Sequence, residues 1–212
     1  MTDPDRSRII SFWHERASKT GATATRFHAE HLDYDLAALA PFCRAGARVL
    51  EIGCGQCVML NTLVQKFGVT AHGVELVASY LDQAIKDERL TTEVADAVDY
   101  TPRPGFDVVI LAGLINSIPA VEERRQIYRR IAQALAPGRL LFVKSQFGRT
   151  VDVDVDAWSE ALGAHYRAHY PQVDREAARL GEWFDVEVTS PYPAALNPHA
   201  NTRFHHLLCR AR

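Results

Sequence analysis

At 212 residues the chain has the length of one domain with room for a sizeable core, and 47% apolar with 24% charged residues is the balance of an ordinary globular protein. A Lys-plus-Arg count of 24 against 26 for Asp plus Glu leaves a formal net charge of −2, so no overall field draws the chain to nucleic acid or an anionic membrane. No apolar run nears the roughly 18 residues of a membrane span. The four cysteines, Cys43, Cys54, Cys57 and Cys209, are too few and too scattered for a disulfide scaffold.

In chain order, the opening MTDPDRSRIISFWHER has no basic-then-apolar leader, and a cytoplasmic location is expected. Ile9, Ile10, Phe12 and Trp13, flanked by Arg6, Arg8 and Arg16, predict a short amphipathic helix, either packed on the domain or closing over a ligand. Thr20–Thr25 reads as a loop, and a second helix is expected from Arg26 to Phe42 with Phe27, Leu32, Leu36 and Leu39 on one side. Arg48–Ile52 is the first strand; a turn on Gly53 and Gly55 follows, then a helix to about Phe67 that stops at Gly68. Val69–Val74 forms the second strand and closes on Glu75, Ala78–Arg89 the next helix, and Thr92–Ala95 a short third strand ending at Asp96. Phe106–Leu111 is apolar throughout, as suits a central parallel strand covered on both faces. Pro119 opens a helix with Glu122 and Glu123 near its start and Arg129 and Arg130 near its end, matching the helix dipole. Leu140–Val143 is the fifth strand.

This alternation implies a parallel α/β sheet with right-handed crossovers in a single domain over 1–212, with N-terminal helices in 1–44. Residues 149–182 are expected as an insert over a ligand site, polar at first and helical from Trp158 to Tyr170. Phe184–Val188 and Arg203–Cys209 are joined by a loop too short for a crossover helix, which predicts an antiparallel hairpin.

Three acids stand where successive strands end: Glu51, Glu75 and Asp96. At the carboxyl edge of such a sheet they would line one crevice. Glu75 is placed to accept hydrogen bonds from ribose hydroxyls, Asp96 from an exocyclic amine, and Glu51 to face an ammonium. Other constellations fall away. Cys54 and Cys57 have zinc-like spacing but no second ligand pair. Asp152, Asp154 and Asp156 imitate a calcium loop, yet Ala157 and Gly163 stand where glycine and glutamate are required. His165 and His169, four apart on the expected helix, lack the glutamate of a zinc-protease motif.

Taken in order, Glu51-Ile-Gly-Cys-Gly55, Glu75, Ala95-Asp96-Ala97, Phe106-Asp107-Val108-Val109 and Leu135-Ala-Pro-Gly138 resemble the motifs of class I S-adenosylmethionine-dependent methyltransferases. The resemblance covers residues 45–145. It implies a Rossmann-like fold with a seven-stranded, mostly parallel sheet and an antiparallel terminal strand. It also implies S-adenosyl-L-methionine as cofactor, S-adenosyl-L-homocysteine as product, and Glu51, Gly53, Gly55, Glu75, Leu76, Asp96, Ala97 and Gly113 as cofactor-binding residues. Cys57 stands where many members carry a third glycine, so the following helix is expected to start slightly further from the cofactor. A nicotinamide-binding domain is the rival fold, but its fingerprint wants Gly or Ala where this chain has Val58.

Phe12-Trp13-x-Glu15-Arg16-Ala17, Lys144-Ser-Gln-Phe-Gly148, Ser159-Glu-x-Leu-Gly163 and Asn201-Thr-x-Phe-His-His206 are similar to stretches of bacterial small-molecule methyltransferases, some found with polysaccharide biosynthesis. O-methylation of a hydroxyl in a sugar or secondary metabolite is therefore the expected reaction. A protein or nucleic-acid methyltransferase and a non-catalytic binder of the cofactor are the alternatives. His205, near the start of an antiparallel final strand, is the first candidate for general base, since imidazole titrates near neutral pH. Asn116 would orient the acceptor. Asn116-Ser-Ile-Pro119 lacks the second proline and the aromatic residue that nucleic-acid amino-methyltransferases carry there, which argues against a flipped-base substrate. The expected partner is a small-molecule acceptor, with no nucleic acid and no membrane, and a homodimer is left open.

Overall fold

A computed structural model describes residues 4–20, 29–160, 163–197 and 199–212. The elements are α1 (Pro4–Thr20), α2 (Ala29–Leu39), β1 (Arg48–Ile52), α3 (Val58–Phe67), β2 (Thr70–Glu75), α4 (Ala78–Leu81), β3 (Leu90–Val94), β4 (Val108–Ala112), α5 (Val121–Ala134), β5 (Leu140–Gly148), β6 (Val153–Ser159), β7 (Ala164–Tyr170), α6 (Val173–Leu180), β8 (Phe184–Val188) and β9 (Thr202–Ala211). A seven-stranded sheet runs β3-β2-β1-β4-β5-β9-β8. The pairs from β3 through β5 are parallel, whereas β9 lies antiparallel to both β5 and β8. This is the expected sheet, with the terminal hairpin at its edge.

Strand alternation divides the core between the two faces of the sheet. Val108 and Ile110 of β4 join Val49 of β1, α2 and α3 in one cluster, while Val109 and Leu111 join Leu50, Ile52, α5 and α6 in the other. β1 and β4 are thus covered on both sides, which is why their sequences read as unbroken apolar runs. The first face is sealed behind the glycine turn by sulfur: a Cβ at Gly73 would lie 2.7 Å from Cys54 Sγ and 3.0 Å from Cys57 Sγ. Only glycine leaves room there.

Two expectations differ from what is found. The helix expected over Ala78–Arg89 ends at Leu81, because Asp87 accepts bonds from the Arg89 N–H and from its guanidinium, both at 2.9 Å, and from Gln65 Nε2 at 2.8 Å. Such local side-chain bonds compete with helix continuation. The helix expected from Trp158 to Tyr170 is instead the β6–β7 hairpin, with Trp158 opposite His165 and Asp154 opposite His169. Its period is two, not 3.6. Asp154 and Asp156 pair outward with His169 and Arg167 across the strands, at 2.8 and 2.6 Å, while Ala168 is buried beneath. The helical part of the insert comes later, in α6, where Gln172 caps the start by accepting the Arg175 N–H at 3.1 Å. The expected loop over 20–25 and the start of the second helix at 26–28 lie outside the described residues, apart from Thr20 at the end of α1.

A buried ion pair ties α5 to α6. Arg124 Nε donates to Glu176 Oε1 at 2.9 Å, Tyr128 donates to the same oxygen at 2.6 Å, and Arg124 Nη1 donates to the Ile118 carbonyl at 2.6 Å. All three side chains are fully buried. Among the described residues no helix is long and apolar enough to cross a membrane.

Candidate active site

The turn after β1 is fixed by the end of β2. The Gly53 and Cys54 N–H groups donate to the Val74 carbonyl at 2.7 and 3.1 Å, and the Gly55 N–H donates to Glu75 Oε2 at 2.8 Å. The other Glu75 oxygen accepts the Val77 N–H at 3.0 Å. Gly53 and Gly55 have φ of 78° and 53°, a left-handed conformation that costs glycine little. Cys57 has φ 59°, and α3 begins at the next residue. The cysteine therefore takes the conformation that a glycine would supply, and the turn closes without it.

Above this turn lies a cavity of about 360 Å³ at the carboxyl edge of the sheet. All eight residues expected to bind cofactor line it: Glu51, Gly53, Gly55 and Glu75 on the floor, and Leu76, Asp96, Ala97 and Gly113 around the rim. Three consecutive sheet neighbours, β3, β2 and β1, deliver the three acids, with β4 supplying Gly113. Helix α1 roofs the cavity with Ile9, Ile10 and Trp13, and Trp13 Nε1 donates to Ser117 Oγ at 3.3 Å. Tyr166 of the hairpin completes the roof and packs on Phe12 with ring centroids 5.4 Å apart.

The acids differ in their surroundings. Glu51 is 3% exposed and its Oε2 has no hydrogen-bond partner among the described residues. Burial, reinforced by Cys57, Glu75 and Asp35, pushes its carboxyl well above the ordinary range, against the opposing pull of the Lys144 ammonium. Burial also raises Glu75, and the Val77, Gly55 and Leu76 backbone N–H groups counter it. Asp96 accepts the Val98 N–H at 3.0 Å and is ion-paired to Arg6, which bridges on to Glu123 at 3.0 Å.

The two residues proposed for the chemistry lie elsewhere. His205 is on β9 opposite Ser145, with its Nδ1–H donating to the Thr189 carbonyl at 3.0 Å and its ring near Phe147. It does not line the cavity, because alternation along β9 sends it to the face away from α2. Asn116 is 5% exposed and is spent on structure: its Nδ2 donates to the Gln146 and His169 carbonyls at 2.9 and 3.3 Å, and its Oδ1 accepts from Ser145. The side chains found on the wall beyond the turn are His31 of α2 and Lys144 of β5. Lys144 pairs in register with Ala112, one residue before Gly113. A polar residue after the apolar run Leu140–Val143, where the parallel pairing with β4 ends, is the sequence signal that marks it. His31 carries no comparable signal, since it sits beyond the sheet on a preceding helix. Among the described residues no three His, Cys, Asp or Glu side chains gather as metal ligands.

Sheet order, glycine turn and acidic rim are those of the class I S-adenosylmethionine-dependent methyltransferase fold. The chain belongs to the methyltransferase-domain family, whose model matches residues 24–197. Among curated proteins it is 31% identical over 102 residues to phosphoethanolamine N-methyltransferase 2 of Caenorhabditis elegans, covering 45% of this chain and 23% of that protein. It is 28% identical over 135 residues to 27-O-demethylrifamycin SV methyltransferase of Amycolatopsis mediterranei, covering 60% and 46%. The chain thus spans less than half the length of either relative. Among solved structures, the complex of DhpI with S-adenosylhomocysteine superposes with a TM-score of 0.71 at 19% identity, covering 100% of this chain and 98% of that one. Haemonchus contortus phosphoethanolamine N-methyltransferase 2, solved with phosphomonomethylethanolamine and S-adenosylhomocysteine, gives 0.68 at 19% identity, covering 94% and 60%. At these identities the shared property is the fold.

Proposed function

We propose that the protein is an S-adenosylmethionine-dependent methyltransferase that methylates an oxygen of a small molecule. The observation that carries this reading is the convergence of all eight expected cofactor residues on one cavity. The donor set suits the cofactor: a buried Glu51 carboxyl whose Oε2 has no partner, which an ammonium would ionise on binding, Glu75 for a ribose, and Asp96 for an adenine amine. When bound, S-adenosylmethionine supplies a methyl group already activated on sulfur.

What remains for the chain is to align an acceptor and manage its proton. Trp13 and Tyr166 enclose the space over the turn and exclude water, and His31 and Lys144 border it on the acceptor side. Alignment alone is worth roughly 7–11 kcal/mol of barrier. A base that removes a hydroxyl proton adds on the order of 10²–10⁴-fold. His31 takes that role here in place of His205, since it is the histidine on the cavity wall. The test is incubation with methyl-labelled cofactor and a metabolite extract. Label in a small product is expected; label only in polymer, or in nothing, overturns the reading.

A further inference from the structure

The acceptor wall holds a cation whose hydrogen-bonding capacity is unused. The Lys144 side chain is 14% exposed on the cavity wall, and its backbone carbonyl accepts the Gly113 N–H at 2.8 Å, which sets the residue beside the cofactor rim. Its ammonium lies 5.1 Å from the centre of the Phe204 ring, whose other contacts include His31 at 4.8 Å. The partner carboxylate, Asp35 Oδ2, is 3.8 Å away, too far for a hydrogen bond. Among the described residues Nζ makes no hydrogen bond at all, although an ammonium carries three donors and a largely buried one is costly to leave unmatched.

Asp35 is not free to move closer. It is fully buried, and its Oδ1 is held by the Tyr192 hydroxyl and by His206 Nε2 at 2.8 Å, while Oδ2 accepts no hydrogen bond. His206 is itself buried against Phe142 and Tyr192. The network anchors the carboxylate behind the wall, while Lys144 itself lines the cavity. The cofactor of the reading above brings a sulfonium, an ammonium and one carboxylate to the same chamber, a single net positive charge. The Lys144 ammonium on the cavity wall adds to that charge and favours an anionic acceptor.

We propose that Lys144 is the acceptor-binding residue and that the acceptor carries an oxyanion, a carboxylate or a phosphate-type group, seated on its ammonium beside His31. The proposal rests on the methyltransferase reading and names its substrate class. A small hydroxylated molecule bearing one such group satisfies both.

The test separates the metabolite extract on an anion exchanger before the reaction, so that the charge of the product does not matter. Retained and unretained fractions are each incubated with labelled cofactor and wild-type, Lys144→Gln or Lys144→Arg protein. Affinity for S-adenosylhomocysteine is measured on the same three proteins and reports folding as well as cofactor binding. The expected result is labelling from the retained fraction, on the order of tenfold or more lower with Lys144→Gln and partly restored with Lys144→Arg, at unchanged S-adenosylhomocysteine affinity. Labelling from the unretained fraction alone, or labelling indifferent to Lys144→Gln, overturns this inference and leaves the methyltransferase reading standing. Wild-type protein that does not bind S-adenosylhomocysteine overturns both. A lysine serving only as counter-ion to Asp35 would change stability in the variants without lowering labelling of the retained fraction, and that outcome also overturns the inference.

Discussion

The sharpest prediction concerns Glu75→Gln. Two backbone N–H groups make hydrogen bonds to the carboxylate, one on each oxygen, Gly55 at 2.8 Å and Val77 at 3.0 Å, with the Leu76 N–H a lesser influence beside them. A carboxylate offers about four such sites, so two remain for a ribose diol. Glutamine keeps one oxygen for one of the two N–H groups and turns an NH₂ towards the other, donor against donor. It also replaces charge-assisted bonds to the ribose by weaker ones or none. Two such bonds at about 1.5–3 kcal/mol each, discounted for non-additivity, give a loss of about 3–5 kcal/mol, or roughly 100- to 4000-fold in S-adenosylhomocysteine affinity. Stability should change far less, within about 1 kcal/mol. The lost backbone bond is offset by removing a charge whose burial already raises its carboxyl. Calorimetric titration gives the affinity and urea unfolding the stability. An affinity within threefold of wild type would refute the assignment of Glu75 to the ribose.

The other predictions address the same site and its support. Asp96→Ala should abolish measurable cofactor binding by calorimetry, whereas Arg6→Ala, which clears the ion pair from that carboxylate, should tighten S-adenosylhomocysteine by about 1 kcal/mol, or roughly fivefold. Unchanged affinity in Asp96→Ala would sink the adenine assignment. Glu176→Ala strands a fully buried guanidinium and should cost about 3–5 kcal/mol in urea unfolding; a loss below about 1 kcal/mol would mean that Arg124 finds another partner. Glu51 should make stability pH-dependent. Its folded pKa is raised by burial, so the native state holds a proton that the unfolded chain releases. That contribution is complete below the unfolded value of 4.5 and is lost as pH rises towards the folded one. In Glu51→Gln the urea midpoint should fall less steeply over that rise, and an identical slope would show that Glu51 is ionised in the native state.

The half of the site assigned to the cofactor was legible in the sequence because it depends on local chemistry. Gly53, Gly55, Glu75 and Asp96 mark places where strands end, and any parallel sheet of this order brings such ends to one edge. The acceptor half depends on parity and on long-range packing. His205 and His206 are adjacent, and the phase of β9 alone decides which one meets Asp35; a shift of one residue would exchange them. The hairpin was hidden for a related reason. His165 and His169 share a face at a spacing of four in a helix and also in a strand, and the cross-strand acids that settle the matter lie a dozen or so positions earlier. The role of Lys144 depends on Asp35, whose burial against β9 no local pattern announces.

The roof over the cavity has a different origin from its floor. Glycine turn and acids are locked to strand register, so a change there disturbs backbone bonds that hold β1 to β2. Trp13 and Tyr166 hang from a helix and a two-stranded ribbon outside the main sheet. A substitution in those segments can reshape the chamber without touching a single strand pairing of the seven. The acceptor side is therefore open to variation at the periphery, provided that Arg6 of α1, ion-paired to Asp96, is kept. A library confined to the exposed and cavity-facing positions of α1 and β7, Arg6 excepted, is the economical place to look for altered substrate range.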